Sequence, residues 1–541
     1  MSIEQQPSLP PVLRPANPPR RELSELADRF ARSVRGDVEG VTLSGITLAT
    51  ADLRPGEAFV AIRGVNRHGA DFAATAAEKG AVAVITDEAG AEIATPAGLP
   101  VIIVDNPRAV LGDLSAWVYG TGAGDPLPLL FATTGTNGKT SVSHLLEGIL
   151  DQLDVVTGLS STAERHIAGE VIVSRLTTPE ASEMHALLAL MRERAVEAVA
   201  VEVSAQALSR HRVDGIQFDV AGFTNLSHDH LDDYVDMEEY FEAKLPLFRP
   251  DRAKRGVICL DSASGAIVVE RSEIPVVTVG TPSIAADPET AAAADWVVVI
   301  DDERASGTTF TMTGPAGSLT TTVPVIGPHM AANAALAIVM LLEGGYTWER
   351  IVDAVARDEG IRAYLPGRTQ LVSGEDGPAV FVDFGHSPDA FEKTLAAVRR
   401  VTPGKVLMLF GADGDRDASK RFDMARTAVN GSDILVVTDH HPRFEDPASI
   451  RATLIESARI ARPDAEIHES SPPENAIITA VGLVGEGDAI LWAGPGHQDY
   501  RDIRGMRTPY SARELARRAL RAAGWSVPDS RWPVPYPDES I

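Results

Sequence analysis

A short glycine-containing segment of the sequence has the residue types of a loop that binds the phosphates of a nucleotide. Gly135 and Gly138 let the backbone turn tightly and bring its N–H groups to phosphate oxygens. Lys139 can reach the β- and γ-phosphates, and the Thr140 hydroxyl can ligate Mg²⁺. Thr133 stands where the usual loop has its first glycine, so the pattern is shortened, and a plain glycine turn is the alternative. The candidate nucleotide-binding residues are Gly135, Thr136, Asn137, Gly138, Lys139, Thr140 and Ser141.

The elements predicted around this loop are the ones that it requires. An apolar run at Leu129–Thr133 predicts a buried strand before the loop, and a helix follows it. A helix N-terminus at this point would direct the positive end of its dipole at the phosphates. Further strands are predicted at Ala198–Val203 and Val220–Thr224, and this block closes after a helix at Ala332–Leu342. The helix after the loop has an apolar face at helical spacing, formed by Val142, Leu145, Leu146, Ile149 and Leu150.

Two further blocks flank the central one. The first, over residues 23–119, alternates short apolar runs with helical stretches, which predicts a small α/β domain. The third begins near residue 366 and has the pattern of a doubly wound parallel sheet. Its predicted strands are Ala379–Val382, Val406–Phe410, Ile434–Thr438 and Ala489–Ala493. We therefore predict an α/β protein with a small α/β domain over 23–125, a central P-loop domain with a parallel sheet over 126–363, and a Rossmann-like doubly wound domain over 364–526.

Length and composition agree with this organisation. A chain of 541 residues suggests three or four domains, and 44% hydrophobic residues are enough for several cores. Proline-rich composition predicts disordered tails over residues 1–22 and 527–541. The single cysteine, Cys259, excludes an internal disulfide and favours a reducing cytoplasm, and no apolar run is long enough to span a membrane.

The charge balance limits the class of partner. Asp and Glu number 76 against 49 Lys and Arg, which gives a net charge of −27. A general nucleic-acid binder needs a cationic surface, so this balance argues against one, although it permits a local basic pocket for a phosphorylated small molecule.

A series of short motifs occurs in a fixed order along the chain. The motifs are Thr133–Thr140, Leu176–Glu180, Glu202–Ser204, Arg212–Gly215, Phe223–Ser227, Asp229–Asp232, Tyr240–Lys244, Pro366–Arg368, Asp383–Asp389, Gly414–Asp417, His441–Arg443 and Gly494–His497. This series resembles the Mur ligase family, and within it the MurE branch, over about residues 40 to 515. The resemblance implies an ATP-dependent amide ligase that adds the third residue to the peptidoglycan stem peptide.

The family chemistry implies roles for individual residues. A substrate carboxylate attacks the γ-phosphate of ATP, and an amine then displaces phosphate from the acyl phosphate, so cations should dominate catalysis. The resemblance implies catalytic roles for Lys139, Lys244, His230 and Glu202. It implies Mg²⁺ ligands at Thr140, Glu202, His230 and a carbamylated Lys244, which requires carbon dioxide. It also implies nucleotide contacts from Asn333, Arg368, Asp383 and His386.

Lys244 has a plainer alternative. A lysine on a helical stretch is ordinarily a surface residue whose stem covers apolar neighbours while its ammonium reaches water. Its spacing from His230 matches the family and favours the carbamylated form. A lone histidine such as His386 is likewise more often structural.

The first domain is implied to grip the uridine diphosphate of the substrate. The candidate substrate-binding residues are Thr50, Asn66, Arg67, Thr177, Thr178, Ser204, Arg210, Arg212 and Lys244. Arg212 has the planar fork that suits a carboxylate or phosphate. An ordinary surface loop is the alternative for the residues near Thr50 and Arg67.

The incoming amino acid is implied to meet a set of residues in the third domain, namely Arg416, His440, His441, Pro442, Arg443, Gly494 and Gln498. Arg443 favours a distal carboxylate, as in meso-diaminopimelate. The segment lacks the acidic and amide groups with which similar proteins hold the distal ammonium. The implied third residue is a diamino acid, open between meso-diaminopimelate, L-lysine and L-ornithine.

Other functions stay open at this point. Departures at Gln206, Pro495 and Arg210 allow a degenerate paralogue that binds nucleotide or UDP-muramoyl peptide without catalysis. A ligase of the folylpolyglutamate or cyanophycin type is a second alternative. For the leading interpretation we expect a cytoplasmic monomer whose partners are UDP-muramoyl dipeptide, ATP and a diamino acid, with no nucleic acid and no membrane insertion.

Overall fold

A computed structural model describes residues 12–227 and 233–528, and these residues form α/β units that follow one another along the chain. The N-terminal unit is a small sheet with helices on its faces. Its strands are β1 (Arg21–Glu22), β2 (Ser33–Arg35), β3 (Thr42–Leu43), β4 (Gly45–Thr47), β5 (Glu57–Val60), β6 (Ala83–Thr86) and β7 (Val101–Ile103). Its helices are α1 (Leu23–Phe30), α2 (Ala73–Glu78), α3 (Glu88–Ala94) and α4 (Pro107–Tyr119), with 3₁₀ turns at Gly69–Phe72 and Thr95–Ala97. Across the sheet the order is β2-β7-β6-β5-β4, parallel except for β2.

The segment before this unit differs from the prediction. Arg14 Nε donates to Glu57 Oε1 at 2.7 Å, and each side chain is only 4% exposed. The backbone N–H groups of Ala16 and Asn17 donate to the Glu193 carboxylate, and β1 pairs with β3. The prediction of a disordered tail is therefore wrong for residues 12–22, because a buried ion pair and strand pairing hold them. Residues 1–11 and 529–541 of the predicted tails lie outside the described residues.

The central unit contains, within the described residues, an 11-stranded sheet. Its strands are β8 (Leu129–Thr134), β9 (Thr157–Ser160), β10 (Glu164–Ile167), β11 (Glu170–Val173), β12 (Ala198–Glu202), β13 (Phe218–Phe223), β14 (Ala253–Cys259), β15 (Val276–Gly280), β16 (Trp296–Arg304), β17 (Gly307–Gly314) and β18 (Gly317–Val323). Its helices are α5 (Lys139–Gln152), α6 (Ala181–Glu193), α7 (Ala205–Ser209), α8 (Met237–Glu242), α9 (Ala263–Arg271), α10 (Pro288–Ala292), α11 (Pro328–Glu343) and α12 (Trp348–Arg357), with a 3₁₀ turn at Leu245–Phe248.

The strand order of the central sheet places the phosphate loop in its parallel part. The order is β11-β10-β9-β12-β8-β13-β14-β15-β16-β17-β18. The seven neighbours in the middle of this order, β9-β12-β8-β13-β14-β15-β16, are parallel, as predicted. The structure adds antiparallel strands at both edges, namely β11 and β10 on one side and β17 and β18 on the other. Tight connections at 305–306 and 315–316 join β16, β17 and β18, which suits antiparallel pairing. Helices α5 and α11 cover one face and α6 covers the other.

The C-terminal unit is the predicted doubly wound sheet. Its strands are β19 (Gln370–Leu371), β20 (Ala379–Asp383), β21 (Val406–Phe410), β22 (Ile434–Val437), β23 (Glu466–Glu469), β24 (Ala489–Ala493), β25 (Tyr500–Ile503) and β26 (Met506–Pro509). Its helices are α13 (Pro388–Val401), α14 (Lys420–Gly431), α15 (Pro447–Ala461), α16 (Pro473–Gly482) and α17 (Ala512–Ala522). The order is β19-β20-β24-β21-β22-β23, parallel except for β19. Helices α13–α15 pack on one face, and α16 and α17 pack on the other.

No helix in the described part of the chain has both the length and the apolar character needed to cross a bilayer.

A buried histidine links the edge of the central sheet to the helix after the phosphate loop. His166 Nδ1 lies 2.7 Å from Glu147 Oε1, and its Nε2 lies 3.1 Å from Glu164 Oε2. Burial alone would lower the pKa of His166, but the two carboxylates outweigh burial and raise this pKa to about 9. The imidazolium therefore joins α5 to β10 at neutral pH.

We predict that His166→Gln lowers the stability of the protein by about 2 kcal/mol at pH 6, because it leaves two partly buried carboxylates without their cation. The folded-state pKa lies above the ordinary value of 6.5, so the stabilisation is complete below that value and is lost as pH rises through about 9. The difference in melting temperature between wild type and variant, measured by calorimetry, should shrink from pH 6 to pH 10.

The matched control is His468→Gln, which alters a more exposed histidine paired with Glu466 and should change little at either pH. A His166→Gln effect of equal size at pH 6 and pH 10 would contradict the assignment.

Candidate active site

The phosphate loop leaves the sheet at an edge where three strands end together. β8 lies between β12 and β13, with Glu202 opposite Thr133 and Phe223 opposite Thr134. Because parallel neighbours end at the same edge, the loop, Glu202 and the segment after Phe223 meet there. This is the position at which doubly wound sheets bind ligands.

Glycine is required at two positions of the loop. Gly135 and Gly138 have φ values of 142° and 90°, which L side chains rarely adopt. A Cβ atom on Gly135 would lie 2.0 Å from Thr224 Oγ1, and one on Gly138 would lie 2.8 Å from Asn333 Oδ1. The predicted nucleotide-side residue Asn333 therefore packs directly against the loop.

Polar contacts fix the loop between two units. The Asn137 side-chain amide donates to Ser227 Oγ and to Asp389 Oδ2, each at 3.1 Å. Thr136 N–H donates to the carbonyl of Asn225 at 2.9 Å. Since Asp389 belongs to α13, the loop of the central unit is already connected to the C-terminal unit.

The carboxylate of Glu202 is the centre of the site. It is 2% exposed, and its Oε2 accepts hydrogen bonds from Thr140 Oγ1 at 3.0 Å and from the N–H and hydroxyl of Thr162 at 2.8 and 2.9 Å. Arg368 Nη2 donates to Thr140 Oγ1 at 2.9 Å. A buried anion thus holds the hydroxyl that follows the phosphate-loop lysine, and an arginine of the C-terminal unit reaches the same hydroxyl.

The two predicted catalytic lysines both lie at the loop. Lys139 Nζ donates to the carbonyls of Gly135 and Thr136 at 3.1 and 2.8 Å. Lys244 is 1% exposed, and its Nζ lies 3.3 Å from the Gly135 carbonyl and 3.8 Å from the ring centroid of Tyr240. Burial excludes the alternative of an exposed surface lysine. The predicted ligand His230 lies outside the described residues.

The oxygen donors at this point fit Mg²⁺. Thr140 supplies a hydroxyl and Glu202 a carboxylate, which are the hard ligands that Mg²⁺ takes in phosphate-loop proteins. The ammonium form of Lys244 has no lone pair to offer a metal.

The residues of the C-terminal unit that are predicted to contact the nucleotide have different hydrogen-bond partners. Asp383 Oδ2 accepts from Thr369 N–H at 2.7 Å and its Oδ1 accepts from Gly385 N–H at 2.7 Å, so this carboxylate joins the segment before β19 to the loop after β20. The Arg368 guanidinium lies 4.5 Å from the ring centroid of Phe384, and burial lowers its pKa. His386 donates through Nδ1 to the Phe384 carbonyl at 3.0 Å.

Predicted substrate-side residues of the central unit gather on the other side of Glu202. Thr178 Oγ1 donates to the Glu202 carbonyl at 2.8 Å and accepts from Ser204 N–H at 3.2 Å. Arg212 Nη1 donates to the Thr178 carbonyl at 3.3 Å. Thr177 Oγ1 accepts from the Thr162 hydroxyl at 3.0 Å. Thr178 therefore adjoins the backbone of Glu202, whereas Thr177 reaches the Glu202 carboxylate through Thr162. Arg212 also pairs with Glu180 at 3.0 Å.

The remaining predicted substrate-side residues lie further out. Asn66 and Arg67 are exposed on the N-terminal unit, where the Arg67 guanidinium lies 4.1 Å from the ring centroid of Phe72. The Thr50 carbonyl accepts from Lys79 Nζ at 2.7 Å. Arg210 pairs with Asp233 at 3.1 Å.

Four of the predicted amino-acid residues, His440, His441, Arg443 and Gln498, form one cluster on the C-terminal unit. His441 Nε2 donates to Gln498 Oε1 at 2.8 Å, and its Nδ1 accepts from the N–H of Asp502 at 2.9 Å, so the ring is neutral. Burial lowers the pKa of His440 to about 3. Pro442 separates these rings from Arg443, which has a positive φ of 51°.

Sequence analysis missed Asp413, which lies in this cluster. Its Oδ1 is 3.5 Å from His440 Nε2, and its Oδ2 is 3.5 Å from Arg443 Nη2. The available signal was its place directly before the motif Gly414–Asp417.

A cleft of about 2540 Å³ between the central and C-terminal units brings the two sides of the site together. Its lining includes the predicted residues Thr177, His386, Arg416, His440, His441, Arg443, Gly494 and Gln498. The fold and the site thus define an α/β protein with a P-loop-type central unit whose loop contacts a second, Rossmann-like unit.

Comparisons with known proteins specify this class. Family models match the Mur ligase family catalytic domain over residues 42–119, the Mur ligase middle domain over 133–341 and the Mur ligase glutamate ligase domain over 367–496. The chain is 56% identical over 517 residues to the UDP-N-acetylmuramyl-tripeptide synthetase of Leifsonia xyli, covering 95% of this chain and 99% of that protein. It is 40% identical over 512 residues to the UDP-N-acetylmuramoyl-L-alanyl-D-glutamate--2,6-diaminopimelate ligase of Streptomyces avermitilis, covering 94% and 98%.

A solved structure of a UDP-N-acetylmuramoyl-L-alanyl-D-glutamate--2,6-diaminopimelate ligase shares the fold, with a TM-score of 0.64 and 24% identity over 94% of this chain and 100% of that one. The chain belongs to the Mur ligase family, within its MurE branch, and is an ATP-dependent amide ligase of peptidoglycan synthesis.

We predict that Gly138→Ala weakens ATP binding by about tenfold, because the added methyl group displaces Asn333 from the loop. The KM for ATP, or the affinity for ADP by calorimetry, measures this effect.

Gly169→Ala is the matched control, because Gly169 has a similar φ of 85° but open space around its Cβ position. Equal ATP affinities for the two variants would show that the close approach of Asn333 is irrelevant.

Proposed function

We propose that this ligase joins a diamino acid to UDP-N-acetylmuramoyl-L-alanyl-D-glutamate in the cytoplasm, with ATP as the source of energy. One observation carries the proposal. The Glu202 carboxylate accepts from Thr140 of the phosphate loop, the Glu202 backbone carbonyl accepts from Thr178, and the Thr178 carbonyl accepts from Arg212. Candidate contacts for nucleotide and for the second substrate therefore meet at a single residue.

The residues around Glu202 suit phosphorylation of a carboxylate. The reacting carboxylate attacks the γ-phosphate, and ADP leaves. Lys139 holds a position from which its ammonium can turn from the loop carbonyls to the transferring phosphate. Arg368, from the C-terminal unit, donates to the Thr140 hydroxyl of the phosphate loop. From there its guanidinium balances charge on the phosphate oxygens. The amine then attacks the acyl phosphate, loses a proton and displaces inorganic phosphate.

Thr140, Glu202, His230 and a carbamylated Lys244 are the residues that we assign to Mg²⁺. When bound, Mg²⁺ neutralises charge on the β- and γ-phosphate oxygens. Burial of Lys244 against the phosphate loop supports this assignment, because it places the side chain at the proposed nucleotide site and not in solvent. Addition of carbon dioxide forms an N–C bond and releases one proton, leaving a carboxylate-like anion.

The assignment of the third residue rests on the cluster at His440, His441, Arg443 and Gln498. The cleft beside it also contains Arg416 and Gly494. We assign a diamino acid, and the candidates are meso-diaminopimelate, L-lysine and L-ornithine.

The direct test is phosphate release from ATP with the UDP-dipeptide and a panel of amino acids. We expect turnover with at least one of the three diamino acids and none with L-glutamate, which a folylpolyglutamate-type ligase would use. Lys139→Ala should abolish phosphate release while leaving binding of the diamino acid largely intact, because the lysine donates to carbonyls of the phosphate loop.

Lys254→Ala is the control for that variant, since Lys254 is exposed and pairs with Asp219. No turnover with any diamino acid would favour a non-catalytic paralogue. Retained turnover in Lys139→Ala would refute the loop assignment.

The carbamate has its own test. Intact-protein and peptide mass spectrometry should find Lys244 heavier by the mass of carbon dioxide, and the activity of carbon-dioxide-depleted enzyme should recover on addition of bicarbonate. Lys244→Ala should lose activity by at least about 100-fold and regain part of it with a short carboxylic acid such as acetate. An unmodified Lys244 together with activity that ignores bicarbonate would contradict the modification.

A further inference from the structure

The amino-acid cluster contains a carboxylate that its predicted residues lack. The segment His440–Arg443 and Gln498 carry no acidic group. Asp413 supplies one from a different loop, directly after β21. The N–H of Gly414 donates to the His441 carbonyl at 2.8 Å, which holds this loop against the histidine pair.

The contacts of Asp413 leave part of its carboxylate available. Its Oδ1 is buried and accepts no hydrogen bond within the described part of the chain. The two nearest cationic or ring nitrogens, on His440 and Arg443, are each 3.5 Å away, which is longer than an ordinary hydrogen bond. A buried carboxylate oxygen without a donor is costly, so the arrangement favours a donor that arrives from the cleft.

The charge state of the cluster suits a cationic donor. Burial raises the pKa of Asp413, but the neighbouring groups, among which the Arg443 guanidinium is the one that stays charged at neutral pH, outweigh burial and hold this pKa below its ordinary value. The carboxylate is therefore ionised at neutral pH. His440 and His441 both have lowered pKa values because they are buried, so neither ring competes as a cation.

An ammonium fits this place better than a divalent metal. Ligand atoms of Asp413, His440 and His441 lie within 4.8 Å of one another, as a metal site would require. The His441 ring is already committed, however, because Nδ1 accepts from the Asp502 N–H and Nε2 donates to Gln498. A metal would have to break one of these bonds, whereas an ammonium needs only the lone pairs of Asp413.

We propose that Asp413 binds the distal ammonium of the incoming diamino acid and thereby determines specificity for this class. The inference rests on the proposed function. The segment His440–Arg443 has no acidic group, and Asp413 supplies one from the neighbouring loop. Arg443, whose Nε donates to no acceptor among the described residues, lies beside it and can bind a carboxylate of the same amino acid.

The experiment pairs a substitution in the enzyme with a deletion in the ligand. Wild type and Asp413→Asn are compared with the diamino acid that turns over fastest and with its analogue that has hydrogen in place of the distal ammonium. The analogue is norleucine for lysine, norvaline for ornithine or 2-aminopimelate for diaminopimelate. The measurements are the KM and kcat for the diamino acid and the competitive inhibition constant of the analogue.

We expect Asp413→Asn to raise the KM for the diamino acid about 30-fold, because it removes a charge-assisted contact, with a smaller effect on kcat. The inhibition constant of the analogue should change less than about threefold, because the analogue has no ammonium to lose. The KM values for ATP and for the UDP-dipeptide should stay unchanged.

Asp423→Asn is the matched control, since Asp423 also lines the cleft but is about half exposed and pairs with Arg426. It should leave all of these constants near their wild-type values.

If Asp413→Asn weakens binding of the diamino acid and of the analogue equally, Asp413 has only a structural role and the proposal is overturned. A wild-type enzyme that turns over no diamino acid would overturn the proposed function and this inference together. A KM that depends on added Zn²⁺ only when Asp413 is present would favour the metal site instead.

Discussion

The active site depends on one buried carboxylate. Glu202 is 2% exposed, and an anion in that position is stable only if donors surround it. Thr140 and Thr162 supply those donors, and Arg368 reaches Thr140 from another unit. Glu202 therefore connects three parts of the site. Its carboxylate contacts the phosphate loop, its backbone carbonyl contacts the substrate-side segment, and Thr140 beside it contacts the C-terminal unit.

The same constraint explains how an acidic protein binds anionic substrates. The chain has a net charge of −27, yet ATP and the UDP-dipeptide that we propose as its substrates are themselves anions. Lys139 and Arg368 lie at the phosphate loop beside Glu202, and Arg212 lies against Thr178. The positive charge is therefore local. The amino-acid cluster has the opposite arrangement, since the Asp413 carboxylate there lies among neutral histidines.

Much of the site could be predicted from the sequence because its residues lie at fixed positions relative to strand ends. The loop after β8 and Glu202 at the end of β12 follow from buried apolar runs and from the rule that parallel strands end at one edge. Asp413 was missed because the motif begins one residue later, at Gly414, and because the sequence does not state that β21 and β22 are neighbours, which places Asp413 beside His440. Composition likewise predicts disorder for residues 12–22, where the buried pair of Arg14 with Glu57 enforces order.

Isotope transfer tests the central claim, that this site activates a carboxylate by phosphorylation, most directly. The UDP-dipeptide would carry ¹⁸O in its reacting carboxylate, and the inorganic phosphate released with the diamino acid would be analysed by mass spectrometry. Because an acyl phosphate that is cleaved by the amine leaves one carboxylate oxygen on phosphorus, each released phosphate should contain one ¹⁸O atom. Amide formation with unlabelled phosphate would contradict the account.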